Sequence, residues 1–149
     1  MNNIEAIYRL AMHYFSNGRA IAYFYFMKAA LLGLPIAKFY VGYCYLKGIG
    51  TLKNNNSAFK WLSQADIPGL AYATYILGEL FLNGIGTNIN HQKALDCFYR
   101  AANQNQPNAE HKLSKLYKEG VHVVKNLDIA KDYHERAIAH GLRVQNVIQ

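Results

Sequence analysis

The chain has 149 residues, of which 52% are hydrophobic and 17% charged, and its formal net charge is +7. This length and hydrophobic content are enough for a sizeable core and exclude a disordered chain. The positive charge favours acidic partners only weakly, because the lysines and arginines are spread over several predicted helices and loops, whereas nucleic-acid-binding proteins usually cluster them on one element.

The first predicted element is a helical hairpin over residues 3–34. Its first helix contains Leu10 to Phe15, and its second helix runs from Ala22 to Ala30. The connection between Gly18 and Ala22 is several residues shorter than the corresponding connections later in the chain. Terminal repeats are commonly atypical because one side faces water, so we interpret this hairpin as an N-terminal cap.

The second predicted hairpin covers residues 35–70. The stretch from Ile36 to Lys47 is apolar nearly all round and too long for an ordinary strand, which predicts a helix packed on two sides. The glycines at 48 and 50 predict its end, and the run 54–57 supplies N-cap candidates for a second helix over 58–65.

The third and fourth hairpins, 71–106 and 107–141, repeat this plan at an offset of 36 residues. Gly42, Gly48, Gly50, Ala58 and Ala65 recur as Gly78, Gly84, Gly86, Ala94 and Ala101. A period of this size predicts a solenoid, so we expect one all-α domain over 1–149 made of four 36-residue helix-turn-helix repeats. The fourth repeat has Ser114 and His122 in place of glycine, and we expect its loop to be less tightly turned. Residues 142–149 are too few for another hairpin and are interpreted as a tail or partial cap.

The repeated pattern resembles a known family. Leu/Val-Gly-x-x-Tyr/Phe-x-x-Gly-x-Gly is followed by a short loop, an alanine at the start of the second helix and Ala-Ala near its end, with the most specific match over 41–50. The pattern is similar to the Sel-one-like repeat, a tetratricopeptide-type hairpin with a longer loop between its helices. The resemblance covers about the whole chain as four repeats. It implies a right-handed α/α solenoid that acts as an adaptor, scaffold or partner-recognition module in signalling, protein quality control or bacterial interactions, and not as a catalyst.

No motif for catalysis, cofactor binding or metal binding is present in the sequence. Gly48-Ile49-Gly50 follows a predicted helix and lacks the Lys-Ser/Thr of a phosphate-binding loop. The six histidines form no metalloprotease motif, and His134 and Glu135 point in different directions on a helix. We expect no enzyme, no cofactor and no metal site.

The two cysteines and the chain's N-terminal segment also carry no site. Cys44 and Cys97 form no C-x-x-C pair, and we expect both to be buried small side chains. No signal peptide or membrane-spanning run is predicted. We therefore expect a cytoplasmic chain without a membrane partner, and leave open export by a route without a cleaved signal.

The candidate binding surface follows from the resemblance, because in tetratricopeptide-type arrays the first helix of each repeat lines the concave face. The side chains that this places in the groove are Tyr8, Met12, Phe15, Ile36, Phe39, Tyr43, Lys47, Tyr72, Tyr75, Glu79, Asn83, His111, Lys115 and Lys118. This surface changes along the array from aromatic and apolar to polar and basic. We expect it to bind a protein or peptide through aromatic anchors. Lys115 and Lys118 could in addition hold an acidic segment or a C-terminal carboxylate.

Three alternatives remain open at this stage. The aromatic side chains at 8, 39 and 75 could pack on one another, which would fill the groove and move binding elsewhere. The partner could be a folded protein gripped by a face and its loops, as for a bacterial effector or an immunity-type protein. A nucleic acid could use the positive charge with tyrosines as stacking platforms, and steep salt dependence would identify that case.

Overall fold

The structure is a computed structural model that describes residues 3–142, and within this range it contains eight helices and no strand. The helices are α1 (Asn3–Phe15), α2 (Arg19–Leu31), α3 (Pro35–Lys47), α4 (Asn55–Gln64), α5 (Ala71–Asn83), α6 (His91–Asn103), α7 (Pro107–Glu119) and α8 (Leu127–Ala139). Consecutive pairs form four hairpins, and each hairpin packs on the next. The predicted all-α solenoid is confirmed. The tail predicted for 142–149 lies, after Leu142, outside the described residues.

Three of the hairpin loops are built alike. Left-handed glycines with φ of 68°, 66° and 70° end α3, α5 and α7, and an asparagine side chain accepts a backbone N–H at the start of α4, α6 and α8. The backbone N–H of each asparagine also donates to a carbonyl in the last turn of the preceding helix, at 2.9, 2.9 and 3.0 Å. Local turn chemistry therefore sets the separation of the two helices in each of these repeats.

The expectation of a looser loop in the fourth repeat is wrong. His122 has φ of 60°, close to the 69° and 70° of Gly50 and Gly86 at the equivalent positions. Its ring lies 3.8 Å from the ring of His91, centroid to centroid. A histidine thus takes the left-handed conformation that glycine takes elsewhere, and its side chain packs against the start of α6.

Small residues lie on the facing sides of the helices, among larger buried side chains such as Phe26 and Leu62. The alanines at 22, 58, 94 and 130 are all buried, and both cysteines are buried as predicted. Helices approach closely at Gly42, where an added Cβ would lie 2.7 Å from Cγ of Leu62. At the equivalent Ser114, the hydroxyl donates to the carbonyl of Ala130 at 2.7 Å. Small residues therefore determine how near the two helices of a repeat can lie.

The connection between the second and third repeats differs from the others. Helix α4 has 10 residues, whereas α2, α6 and α8 each have 13. Pro68 lies in this connection and disfavours helix at Ile67, the residue before it. Asp66, in the resulting loop, accepts hydrogen bonds from Thr74 at 2.7 Å and from Arg100 at 2.9 and 3.0 Å. These polar contacts hold the loop against α5 and α6.

Candidate functional site

All fourteen side chains predicted to bind a partner lie on α1, α3, α5 and α7, the first helices of the four repeats. We call the surface formed by these helices the first-helix face. It carries an aromatic part on α1, α3 and α5 and a basic part on α7. The two parts differ in how far the structure brings their side chains together.

A continuous row of aromatic rings crosses the face from α3 to α5. Phe39 lies 6.0 Å from Tyr43 and 5.7 Å from Tyr72, and Tyr72 lies 5.9 Å from Tyr75, measured between ring centroids. Phe39 is only 7% exposed, whereas Tyr72 is 40% exposed. The rings at 39 and 75 are therefore linked through Tyr72, with Phe39 as floor and Tyr72 open to solvent.

A second aromatic cluster fills the space between α1 and α3. Tyr8 and Phe15 lie 6.1 and 5.6 Å from Tyr40, and Tyr40 stacks on Phe26 at 4.6 Å. Tyr40 was not among the predicted residues. The equivalent position in the third repeat is Ile76, so comparison between repeats gave no reason to single it out.

The two clusters meet at an open pocket of about 220 Å³ lined by Phe15, Phe39, Tyr40, Tyr43 and Tyr72. The surroundings are largely apolar: burial, followed by the neighbouring Tyr43, raises the pKa of Tyr72. Tyrosine hydroxyls in such surroundings stay protonated near neutral pH and can donate hydrogen bonds. The pocket can therefore accept an apolar side chain beside polar donors.

The remaining predicted residues on α1, α3 and α5 surround these clusters. Met12 is 37% exposed, and Lys47 is exposed. Ile36 and Tyr8 line a further open pocket of about 400 Å³ between the first two repeats. Asn83 is exposed and donates to the carbonyl of Glu79 at 2.9 Å.

The basic part of the face borders a pocket of about 400 Å³ between α7 and α8. Its lining residues are His111, Ser114, Lys115, Lys118, Leu127, Ala130, Lys131 and His134. Three of them were predicted, whereas Lys131 and His134 were missed because they lie on a second helix. A change of residue type between repeats could have identified them, because the equivalent positions in the third repeat are Leu95 and Phe98.

The chemistry available elsewhere in the described range is limited. No three His, Cys, Asp or Glu side chains in residues 3–142 are grouped so that they could hold a metal ion. Burial raises the pKa of both cysteine thiols to about 11, which keeps them protonated and unreactive near neutral pH. None of the helices in this range is both long and apolar enough to cross a membrane.

Comparison with known proteins decides the family. The Sel1 repeat profile matches residues 4–34, 35–65, 71–106 and 107–142. The chain belongs to the Sel1 repeat family. Sel1 repeats generally mediate protein–protein interactions, and the family is typically non-catalytic. A search of curated protein sequences gives no significant match.

Solved structures support the same fold. A Sel1 repeat protein from Oxalobacter formigenes is 31% identical with a TM-score of 0.84, over 93% of this chain and 56% of that protein. The protein c5321, a protective antigen present in uropathogenic Escherichia coli strains, is 25% identical with a TM-score of 0.84, over 91% of this chain and 30% of that protein. MamA is 21% identical with a TM-score of 0.62, over 93% of this chain and 78% of MamA. This match shows the fold alone. This Sel1 repeat chain thus spans about half of the length of the Oxalobacter formigenes protein and about a third of the length of c5321.

One further surface distinguishes the first Sel1 repeat from the others. On the outer side of α2, Phe24 is 61% exposed and Leu31 is 72% exposed. The positions equivalent to Phe24 hold Lys60, Asp96 and Asp132 in the later repeats. An exposed apolar side chain thus stands at position 24 of the first repeat where the later repeats have a charged one.

Proposed function

We propose that this Sel1 repeat chain is a non-catalytic protein-binding module that holds a protein or peptide segment on its first-helix face, with aromatic side chains as the main anchors. The observation that supports this most directly is the open aromatic pocket, in which exposed Tyr72 stands beside a buried floor that includes Phe39. Rigid tyrosines provide contact area at a low cost in conformational entropy, which is why they are common in protein-binding sites.

The size of the aromatic pocket favours a side chain over a cofactor or drug-sized molecule. Its volume is about 220 Å³, below the range of roughly 300–1,000 Å³ that is typical of small-molecule sites. A partner residue that is apolar would bury its surface against the rings, at roughly 25 cal/mol per Å². The neighbouring tyrosine hydroxyls would then supply hydrogen bonds to the partner's backbone.

The test compares variants that borrow residues from other repeats of the same chain. Tyr72→Asn and Tyr43→Glu, combined, introduce the residues found at 108 and 79. The control, Phe24→Asp, introduces the residue found at 96 and 132, and changes only the outer face of α2. Partners captured by the wild-type chain are identified, purified and measured by calorimetry against all three proteins, after circular dichroism has shown each to be folded.

We expect the Tyr72→Asn/Tyr43→Glu variant to lose at least about 2 kcal/mol of binding energy, as for substitution of central aromatic anchors, and the control to bind like wild type. Equal binding by the wild-type chain and the double variant would refute the aromatic anchors. Binding that falls steeply with salt and needs no protein would instead indicate a nucleic acid.

A second candidate is a folded protein gripped by the outer side of the first repeat, as in effector or immunity-type recognition. The exposed side chains of Phe24 and Leu31 favour it, because exposed apolar patches mark interaction surfaces. In this case Phe24→Asp would abolish binding, and the Tyr72→Asn/Tyr43→Glu variant would not. An interface above roughly 1,200 Å² in the complex would also be expected.

A further inference from the structure

The pocket between α7 and α8 shows a coordinated change of residue type between the third and fourth repeats. Five positions that line it carry basic side chains in the fourth repeat and apolar or acidic side chains in the third. His111, Lys115, Lys118, Lys131 and His134 stand where the third repeat has Tyr75, Glu79, Leu82, Leu95 and Phe98. Every one of these changes makes the pocket more basic.

The basic side chains form two stripes that face each other across the pocket. On α7, His111, Lys115 and Lys118 have the i, i+4, i+7 spacing of one helix face, and on α8 Lys131 and His134 follow Leu127 with the same spacing. Seven residues of helix rise about 10 Å. An extended peptide covers that distance with about three residues. The pocket therefore has the length for a short stretch of extended chain.

No acidic side chain lines this pocket among the described residues. Within residues 3–142, no carboxylate lies within ion-pair distance of Lys115 or Lys118, and the 3.9 Å contact of Lys131 with Glu135 is open to water. The Nδ1 atom of His111 is buried and has no hydrogen-bond partner in this range. Burial, followed by the charges of Lys115 and His134, lowers the pKa of His111. A ligand that carries negative charge would relieve this crowding of like charges.

Exposure of the last described repeat to water explains only part of this arrangement. Terminal repeats need a polar outer face, and mixed charges meet that need. The exposed side of α8 outside the pocket carries the opposite charge, with Asp128, Asp132 and Glu135. The pocket has one sign alone, which solubility does not require.

We propose that the α7–α8 pocket binds the oxyanion groups of an acidic peptide segment and forms the charged end of the partner site on the first-helix face. The inference rests on the proposed function, since it assigns the part of the partner that follows the aromatic anchors. Lys115 and Lys118 lie on both the face and the pocket, so they contact the first carboxylates that enter. Lys131 and His134 contact those that reach α8.

The test uses fluorescence anisotropy of the whole chain with a labelled hexaglutamate peptide. Hexaglutamine and a peptide with two phosphoserines are the comparison probes, the second to distinguish phosphate from carboxylate. The variant Lys115→Glu/Lys118→Leu restores the residues of the third repeat at both positions. Its control, Lys60→Glu/Lys53→Leu, makes the same change in net charge at exposed positions away from the pocket.

We expect hexaglutamate to bind and hexaglutamine not to bind. The Lys115→Glu/Lys118→Leu variant should bind hexaglutamate at least about tenfold more weakly, and the control should stay within about threefold of wild type. Tighter binding of the phosphoserine peptide would make phosphate the preferred oxyanion. In the wild-type chain, NMR signals of the His111 and His134 rings should shift on addition of hexaglutamate, which requires no variant.

Absence of hexaglutamate binding, or equal losses in the pocket variant and its control, would overturn the proposal, as would unshifted histidine signals. This failure is distinct from failure of the proposed function. If Tyr72→Asn/Tyr43→Glu abolishes partner binding while hexaglutamate does not bind, the module function stands and the charged subsite does not.

Discussion

Replacing Glu110 with glutamine tests how the fourth repeat is attached to the array. The Glu110 side chain on α7 is fully buried, and its carboxylate lies 3.1 Å from Nη2 of Arg136 and 2.8 Å from Nδ1 of His140. Nη2 of Arg136 also donates to the carbonyl of Ala102 at 3.1 Å. One buried carboxylate therefore orients an arginine that joins α8 to the end of α6.

The expected loss follows from the burial of these groups. Breaking a buried ion pair by removing one partner costs roughly 3–5 kcal/mol. Here Arg136 and His140 remain 35% and 31% exposed, so water compensates part of the loss. Glutamine also keeps one carbonyl acceptor. We expect Glu110→Gln to lower the free energy of unfolding by about 2 kcal/mol and the midpoint temperature by roughly 4–8 °C.

Urea unfolding followed by circular dichroism measures this change. The matched control is Glu135→Gln, which removes an exposed carboxylate 3.9 Å from Lys131 and should change stability by no more than about 0.5 kcal/mol. A double-mutant cycle with Arg136→Met should give a coupling energy of about 1–3 kcal/mol. Stability of Glu110→Gln equal to that of its control would show that the cluster contributes nothing.

Two further predictions concern the connection between repeats and the spacing within them. Arg100→Met should destabilise the chain by about 1 kcal/mol at neutral pH. Burial alone would raise the pKa of Asp66, but the hydrogen bonds from Arg100 and Thr74 outweigh it and lower that pKa. The ionised carboxylate of Asp66 therefore stabilises the fold at pH values above its unfolded pKa of about 4, and this stabilisation is lost as the pH falls through the lower folded pKa. The destabilisation caused by Arg100→Met should therefore shrink in acid. An equal destabilisation at pH 3 and pH 7 in urea titrations would contradict this. Gly78→Ala would place a Cβ 2.7 Å from Cε1 of Phe98. The overpacking cost of about 1–3 kcal/mol should exceed the gain in helix propensity of up to about 1 kcal/mol, so the variant should be less stable than wild type. Calorimetry can test this.

The helix ends could be predicted from the sequence because they depend on local chemistry. A left-handed glycine and an asparagine cap need only their own backbone neighbours, so Gly48 and Asn54 indicate the same loop wherever they recur. The conformation of His122 was mispredicted for a related reason. The contact that accommodates it comes from His91 in the preceding repeat, and no pattern within one repeat contains that information.

The candidate site could be predicted only as far as it depends on helix register. Register places both Phe39 and Tyr72 on first helices, which the structure confirms. It does not show that the first is 7% exposed and the second 40%, because that difference arises from the packing of one repeat on the next. Only three residues of the basic pocket were predicted for the same reason, since Lys131 and His134 occupy positions that are buried in the third repeat, at Leu95 and Phe98.

The position shared by Phe98 and His134 shows how the neighbouring helix decides what a residue can do. Phe98 is fully buried, with Tyr75 6.0 Å from its ring and Nζ of Lys112 on α7 at 5.9 Å. Within the described residues no first helix follows α8, and His134 is exposed at the pocket. Phe98→His should therefore cost about 3 kcal/mol or more, because it buries a polar ring and loses apolar contact.

The reverse change, His134→Phe, should alter stability by less than about 1 kcal/mol, because the position is exposed. Thermal unfolding of both variants measures the asymmetry. Equal effects would mean that the fourth repeat constrains this position as an internal repeat does. Unequal effects would mean that packing does not constrain the residues facing the α7–α8 pocket, which leaves their side chains free to contact a ligand.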